Sequence, residues 1–348
     1  MEPKRVILPQ DEGEHNHIIE WWYWNGNLRD RRGNEYAFMN CLFKADLKRV
    51  GFPLISELPL PVKTVHFSHS LLSDINKMKF YPGVNYFVRL SKDSFRKPAL
   101  FAKYGNCLME KTGNSEYRLR NDYVDLGMKL MKRPLLEGGR GFFNLPGRRS
   151  TYYYSLTDLK TSGTITLNGK KIRVRGRSWM DHQWANNRYA RDRWTWFSIQ
   201  LENGTDVVCF EYGKRKRHAM ACIMDRRGRQ TSTTKVRFVP TGKSWTSPHT
   251  KATYPLSWRI EMPGKKTTIE LEPLIKEQEM LYGIINYWEG PMKAKAKVNG
   301  RTVKGRGFME LVGYIPKCPL SKLLKNGLED AIMQEFHDAR RIAEKILD

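Results

Sequence analysis

Cysteine is scarce. The 348 residues hold five (Cys41, Cys107, Cys209, Cys222 and Cys318), an odd number, far apart and without a Cys-x-x-Cys pair. That spacing argues against a disulfide framework and for reduced thiols, several of them buried. Long apolar runs are missing too: none approaches the roughly 18 residues of a membrane helix. The opening Met-Glu-Pro-Lys-Arg-Val-Ile-Leu-Pro-Gln lacks the apolar core of a signal peptide, so the chain reads as soluble and cytoplasmic. Nucleotide and nucleophile motifs fail on inspection. Thr241-Gly242-Lys243-Ser244 resembles the end of a phosphate-binding loop, but Arg237 stands where its first glycine belongs. Gly305-Arg306-Gly307 lacks a third glycine and opens no helix, and no Gly-x-Ser-x-Gly elbow is present.

Acidic residues are also few. Against 61 Lys and Arg stand 36 Asp and Glu, a formal charge of +25. The basic residues cluster at Arg29 with Arg31-Arg32, Arg148-Arg149, Lys170-Lys171, Lys214-Arg215-Lys216-Arg217, Arg226-Arg227 with Arg229, and Lys265-Lys266. Most lie beside Gly or Asn in hairpin-turn signals, where side chains point to water. Such a surface attracts anionic lipid or nucleic acid without specificity. A peripheral contact with an anionic membrane is therefore an expected partner, and a specific nucleic acid is not.

Aromatic and aliphatic side chains are abundant. Hydrophobic residues make up 40% and aromatics 12% of the chain, enough for two cores, and the length suits two domains. Short alternating segments separated by turn signals recur throughout. Trp21 to Leu28 and Tyr36 to Lys44 flank Asp30-Arg31-Arg32-Gly33-Asn34, and Asn168-Gly169, Asn203-Gly204, Pro263-Gly264 and Asn299-Gly300 each separate two strand patterns. This punctuation predicts an all-β chain of antiparallel barrels or sandwiches. Only the end differs. Leu324, Leu328, Ile332, Phe336, Ala339, Ala343 and Ile346 recur at helical spacing between Ser321 and Leu347, predicting an amphipathic helix that packs on a barrel or a second copy.

Residues 176 to 200 concentrate the chemistry. They contain Trp179, Trp184, Trp194 and Trp196 and the adjacent pair Asp181-His182. Alternation puts Trp194, Trp196, Ser198 and Gln200 on one face and Thr195, Phe197, Ile199 and Leu201 on the other. A face that mixes large rings with hydrogen-bonding groups suits a pocket. Two further tracts share the composition: Glu20-Trp21-Trp22-Tyr23-Trp24-Asn25-Gly26, and Asn286-Tyr287-Trp288-Glu289-Gly290 leading to Gly305-Arg306-Gly307-Phe308-Met309-Glu310-Leu311-Val312-Gly313-Tyr314. In order, these three tracts resemble those of the AttH and carotenoid 1,2-hydratase (hydroxyneurosporene synthase, CrtC) family of lipocalin-like proteins. They are similar also to some fungal lipocalin-like Diels-Alderases. The resemblance spans residues 20 to 314. It implies two lipocalin-like antiparallel β-barrel domains with a hydrophobic ligand site. On that reading the first barrel takes residues 1–185 and the second 186–318, and the C-terminal α-helix takes 319–348.

Acid-catalysed addition of water to an isolated alkene needs a strong general acid in a dry site and a stabiliser for the resulting carbocation. A carboxyl buried among apolar groups keeps its proton near neutral pH. A tryptophan face stabilises a cation by about 0.5 to 2 kcal/mol. The candidate catalytic residues are Asp181, His182 as a proton relay, and Glu211; Glu20 and Glu289 are further carboxyls of the same tracts. Ligand-binding candidates are Glu20, Trp22, Trp179, Trp184, Trp194, Trp196, Tyr287, Trp288, Glu289 and Arg306. Each has a plain structural alternative. Asp181 and His182 could tie two turns together, and Glu20 or Glu289 could form a buried ion pair with Arg306. Trp21, Trp22 and Trp24 cannot all face one pocket, and Trp22 is assigned to the face opposite the other two. The resemblance implies a catalytic Asp with nearby His, Trp and Tyr, whereas the segment after Trp196 offers Glu211 and Tyr212. His15-Asn16-His17 with Glu20 reads as hydrogen-bonded histidines at a strand entry, with no second metal-spaced cluster. His66 and His69 belong to opposite faces of one strand. No metal or cofactor is expected. The partner expected is a hydrophobic, isoprenoid- or lipid-like small molecule, met either by a cofactor-free hydratase or lyase or by a non-catalytic carrier.

Overall fold

The computed structural model describes residues 4–46, 49, 64–88, 99–104, 107–145, 149–186, 193–213, 217–281 and 286–315. These residues form antiparallel strands, and the turn signals fall where the sequence places them. The first hairpin joins β1 (Ile19–Asp30) to β2 (Glu35–Asp46), and a second joins β3 (Thr64–Asp74) to β4 (Lys79–Val88). Then come β5 (Phe101–Tyr104), β6 (Cys107–Gly113), β7 (Glu116–Arg120), β8 (Val124–Leu130) and the short β9 (Leu135–Leu136) and β10 (Phe142–Leu145). The long β11 (Arg149–Leu167) and β12 (Lys170–Ala185) turn at Asn168-Gly169, both at positive φ, as a tight two-residue hairpin requires.

The second series begins with β13 (Trp194–Leu201), β14 (Asp206–Tyr212), β15 (His218–Met224), β16 (Gln230–Thr233) and β17 (Arg237–Pro240). A small ribbon of β18 (Ser244–Thr246) and β19 (Thr253–Pro255) follows. The series ends with β20 (Trp258–Met262), β21 (Thr267–Pro273), β22 (Glu279–Met280), β23 (Tyr287–Val298) and β24 (Arg301–Val312).

Two sheets result. The first runs β4-β3-β2-β1-β12-β11-β8-β7-β6-β5, and the second β16-β15-β14-β13-β24-β23-β21-β20-β17. Both curl. In the first, β2 and β6 stand six places apart in strand order, about 29 Å in a flat sheet at ~4.8 Å per strand. Yet Asn40 of β2 approaches the Met109 sulfur of β6 at 3.8 Å. In the second, Phe197 of β13 stacks on Phe238 of β17 with ring centroids 6.1 Å apart, five places along the order. No ladder joins β4 to β5 among the described residues, so the expected closed barrels are curled, lipocalin-like half-barrels. The helix expected over 321–347 lies outside the described residues.

Alternation fills both faces of each sheet. The hollow of the first packs Trp22, Trp24, Phe38, Leu42, Leu126, Tyr154, Met180 and Trp184. The hollow of the second packs Phe197, Ile199, Trp258, Ile269, Trp288 and Leu311. A third cluster lies between the sheets and draws on both: Tyr23, Met39, Cys41, Leu71, Tyr153 and Trp179 meet Trp196, Val208, Met220, Tyr287 and Phe308. Complete burial of side chains this large contributes about 1.5–3 kcal/mol each. The assignment of Trp22 apart from Trp21 and Trp24 is corrected. A period of two pairs Trp22 with Trp24 inside the first hollow and turns Trp21 to the outer face.

Candidate functional site

The adjacent Asp181 and His182 part company. On β12, Trp179 and Asp181 point between the sheets, while Met180, His182 and Trp184 point into the first hollow. His182 is therefore no proton relay for Asp181.

Asp181 is buried and gathers three donors. Trp179 Nε1 and Ser155 Oγ donate to Oδ1 at 2.6 Å each, and the Tyr153 hydroxyl donates to Oδ2 at 2.5 Å. These donors favour the carboxylate, but burial outweighs them and lifts Asp181 from its ordinary 3.8 to about 7. The Tyr153 hydroxyl accepts in turn from Trp196 Nε1 of the second sheet at 2.9 Å, a chain of polarised bonds across the junction. On the other side, Ser155 Oγ is 2.9 Å from Glu137 Oε1. A hydroxyl carries a single proton. Glu137, driven well above the usual carboxylate range by burial, supplies the second in its neutral form.

A pair of glutamates faces this group. Register sets Glu289 of β23 opposite Glu310 of β24, and Glu310 opposite Trp196 of β13. Tyr23 of β1 donates its hydroxyl to Glu289 at 2.8 Å, and Trp194 Nε1 donates to Glu310. Burial moves both carboxyls up, Glu310 to about 7 and Glu289 well above its ordinary value, with Glu310 adding repulsion. Tyr23 meets Trp196 edge to face at 5.1 Å. Beyond them His69 Nδ1 lies 3.0 Å from the Tyr287 hydroxyl, and burial lowers His69 well below the usual imidazole range. Carboxyls of raised proton affinity and aromatic rings from both sheets thus share one junction.

The remaining candidates lie apart from it. Glu20, Trp22, His182 and Trp184 belong to the first hollow. There Glu20 accepts from the His15 ring at 2.8 Å, the His182 ring at 2.9 Å and Lys44 Nζ at 3.1 Å. Those partners outweigh burial and keep Glu20 well below the ordinary carboxylate range, while burial lowers His182 to about 4. His15 bonds Glu20 through its backbone N–H as well, at 2.9 Å, and stacks on Trp184 with centroids 3.8 Å apart. His15, Glu20 and His182 bring potential ligand atoms within 4.8 Å of one another. A metal there would displace both imidazole hydrogen bonds to Glu20 and meet the Lys44 charge. Trp288 is core of the second hollow and donates to the Lys276 carbonyl at 2.7 Å. Glu211 pairs with Arg217 at 2.9 Å on the face away from the junction. Arg306 reaches neither Glu20 nor Glu289 but bridges to Glu35 of the first sheet at 2.9 Å. Of the candidates, the fold brings Asp181, Trp179, Trp194, Trp196, Tyr287 and Glu289 to one place.

Sequence reasoning passed over Tyr23, Glu137, Tyr153, Ser155 and Glu310. Glu310 was within reach, since it stands in the third tract at the strand parity of Phe308. Tyr153 is the middle of Tyr152-Tyr153-Tyr154, and alternation gives the middle residue the opposite face. Glu137 follows the two-residue β9 in a loop and carries no periodic signal.

The sequence matches the AttH-like family over residues 1–314. The chain belongs to that family. Its fold is shared with the AttH protein NE1406 of Nitrosomonas europaea, at 26% identity and a TM-score of 0.78, covering 90% of this chain and 98% of that one. Kievitone hydratase from Nectria haematococca has the same fold at 18% identity and a TM-score of 0.71, over 88% of this chain and 93% of that. The dehydratase asqC of Emericella nidulans is 25% identical over 170 residues, 45% of this chain. The match spans about half, 48%, of that curated relative.

Proposed function

We propose that this AttH-like protein adds water to, or removes it from, a lipophilic small molecule by acid–base catalysis between its two sheets. The observation that carries this reading is Asp181, a buried carboxyl lifted to about 7, bonded directly to the indole N–H of Trp179 and through Tyr153 to that of Trp196. Such a group gives a proton to an alkene carbon and takes one back from the incoming water. The balance is one proton to carbon, one water to the cationic neighbour and one proton returned, so no redox partner is required. Glu310 and Glu289 form a second reservoir of protons across the junction, and the indole rings supply negative faces toward the cation. Tyr153, bonded to both Asp181 and Trp196, holds the acid in place. A hydratase and a dehydratase among the similar proteins support the same chemistry, run in its two directions.

The test is incubation of the protein with isoprenoid alkenes and their tertiary alcohols in ¹⁸O-labelled water. Heavy oxygen should enter the alcohol, and Asp181→Asn should stop this while ligand-induced tryptophan quenching persists. Quenching without exchange in the unaltered protein would replace the enzyme with a carrier.

A further inference from the structure

Three hairpin turns of the first sheet meet at one end. Asn34 of the β1–β2 turn, Asn76 of the β3–β4 turn and Asn168 of the β11–β12 turn line a common cavity of about 300 Å³. A groove of about 570 Å³ near the same strand ends is lined by Arg29, Arg31, Arg173 and Arg175 with the hydroxyls of Ser162 and Thr164. Register explains the groove. Arg29 stands directly opposite Arg175, Ser162 opposite Arg175, and Thr164 opposite Arg173. Like charges facing each other across a ladder are destabilising, so this arrangement carries a cost unless an anion sits between them. Arg29 has Glu35 at 2.5 Å. Asp30, the carboxylate in the groove, is tied to Asn34 and to the Arg32 backbone of its own turn. Arg31, Arg173 and Arg175 form no ion pair among the described residues. At the tip, in the β3–β4 turn, Met78 is 57% exposed between the exposed Lys77 and Lys79.

We propose that this end of the first sheet docks on an anionic lipid bilayer. The arginine groove takes headgroup phosphates, and Met78 enters the interface. Guanidinium forks match phosphate oxygens in paired hydrogen bonds, and basic side chains near an anionic leaflet are drawn to its negative surface. The methionine favours a bilayer over a soluble phosphate, which offers an apolar side chain nothing. This docking stands independently of the acid chemistry assigned to Asp181 and fails or holds by a separate measurement.

The experiment is co-sedimentation of the full chain with vesicles of phosphatidylcholine alone and with added phosphatidylserine. Binding is expected only to the anionic vesicles. Arg173→Glu with Arg175→Glu should weaken it about tenfold or more. Arg31→Glu, in a turn that bears little on folding, should weaken it in the same direction. Arg226→Glu with Arg227→Glu places the same charge change on a turn of the second sheet and should leave binding near the unaltered level. Met78→Ser should lower the residual binding at raised salt, where charge attraction is screened. Equal losses from the two double variants would overturn the proposal, as would equal binding to neutral vesicles. So would an unchanged Met78→Ser, or binding of pyrophosphate or an oligonucleotide without binding of vesicles.

Discussion

Asp181 and His182 are chemically unlike because neighbouring residues of a strand look into different surroundings. Asp181 has three donors and, among the described residues, no cation partner, so burial decides and its proton is held to about 7. Glu20, equally buried, has Lys44 and two imidazoles, so it stays ionised. If Asp181 is the acid, Asp181→Asn should lower hydration or dehydration by about 10²-fold or more, read as initial rate, with ligand affinity kept. The same residue sets a stability profile. In the unfolded chain Asp181 loses its proton near 3.8, and in the fold near 7. Between those values the fold binds a proton that the unfolded chain has released. Its contribution is therefore full below about 3.8 and falls as pH rises to about 7. Glu310, also lifted to about 7, acts with the same sign. Urea midpoints should fall across that window and flatten in Asp181→Asn. Glu20, whose value is depressed, works in the opposite sense and destabilises only when acid falls below the ordinary carboxylate range.

At the scale of the strand, the glycines of the motif tracts have a mechanical role. A Cβ added at Gly176 would lie 2.0 Å from the Asn27 carbonyl oxygen and 2.9 Å from the Leu28 Cα on the neighbouring β1. Gly307 of β24 has the same constraint, 2.2 Å from the Ser198 carbonyl oxygen of β13. Both sit where a curled sheet brings two backbones together. Gly176→Ala should cost about 1–3 kcal/mol in urea unfolding, because the obstacle is backbone and not a side chain that can swing aside. Strand position was legible in Asn168-Gly169, Asn203-Gly204 and Asn299-Gly300, each of which became a hairpin turn. Turn chemistry is local, so sequence suffices there. Face assignment is local too, and Trp194, Trp196, Ser198 and Gln200 do share the junction face. Which hollow or junction a given face covers depends on strands far away in the chain. That is why Trp288 and Glu211, plausible by composition, lie away from Asp181.

At the scale of the whole molecule, the two sheets hold one another. Asn25 donates to Ser198 at 3.2 Å, Gln200 to the Thr157 carbonyl at 2.7 Å, and Lys132 and Arg177 both reach Asp206. Phe308 is fully buried in the shared apolar cluster. Phe308→Ala should cost about 3–5 kcal/mol, and far-UV circular dichroism and tryptophan fluorescence should still report one coincident transition. Two separated transitions would mean that the sheets fold independently. Arg306→Ala, which removes a half-exposed bridge to Glu35, should cost no more than about 1 kcal/mol.

The sequence by itself determined the strands, the turns, the aromatic and acidic tracts and the excess of positive charge, because each follows from neighbouring residues or from composition. It also carried the family, since the three tracts stand in order along the chain. Only the packing of one curled sheet on the other decided that Tyr23 meets Glu289 and that Trp196 completes the Asp181 chain of hydrogen bonds. The physical reason is that a carboxyl's proton affinity depends on how much water surrounds it. Here two sheets remote in sequence exclude that water jointly.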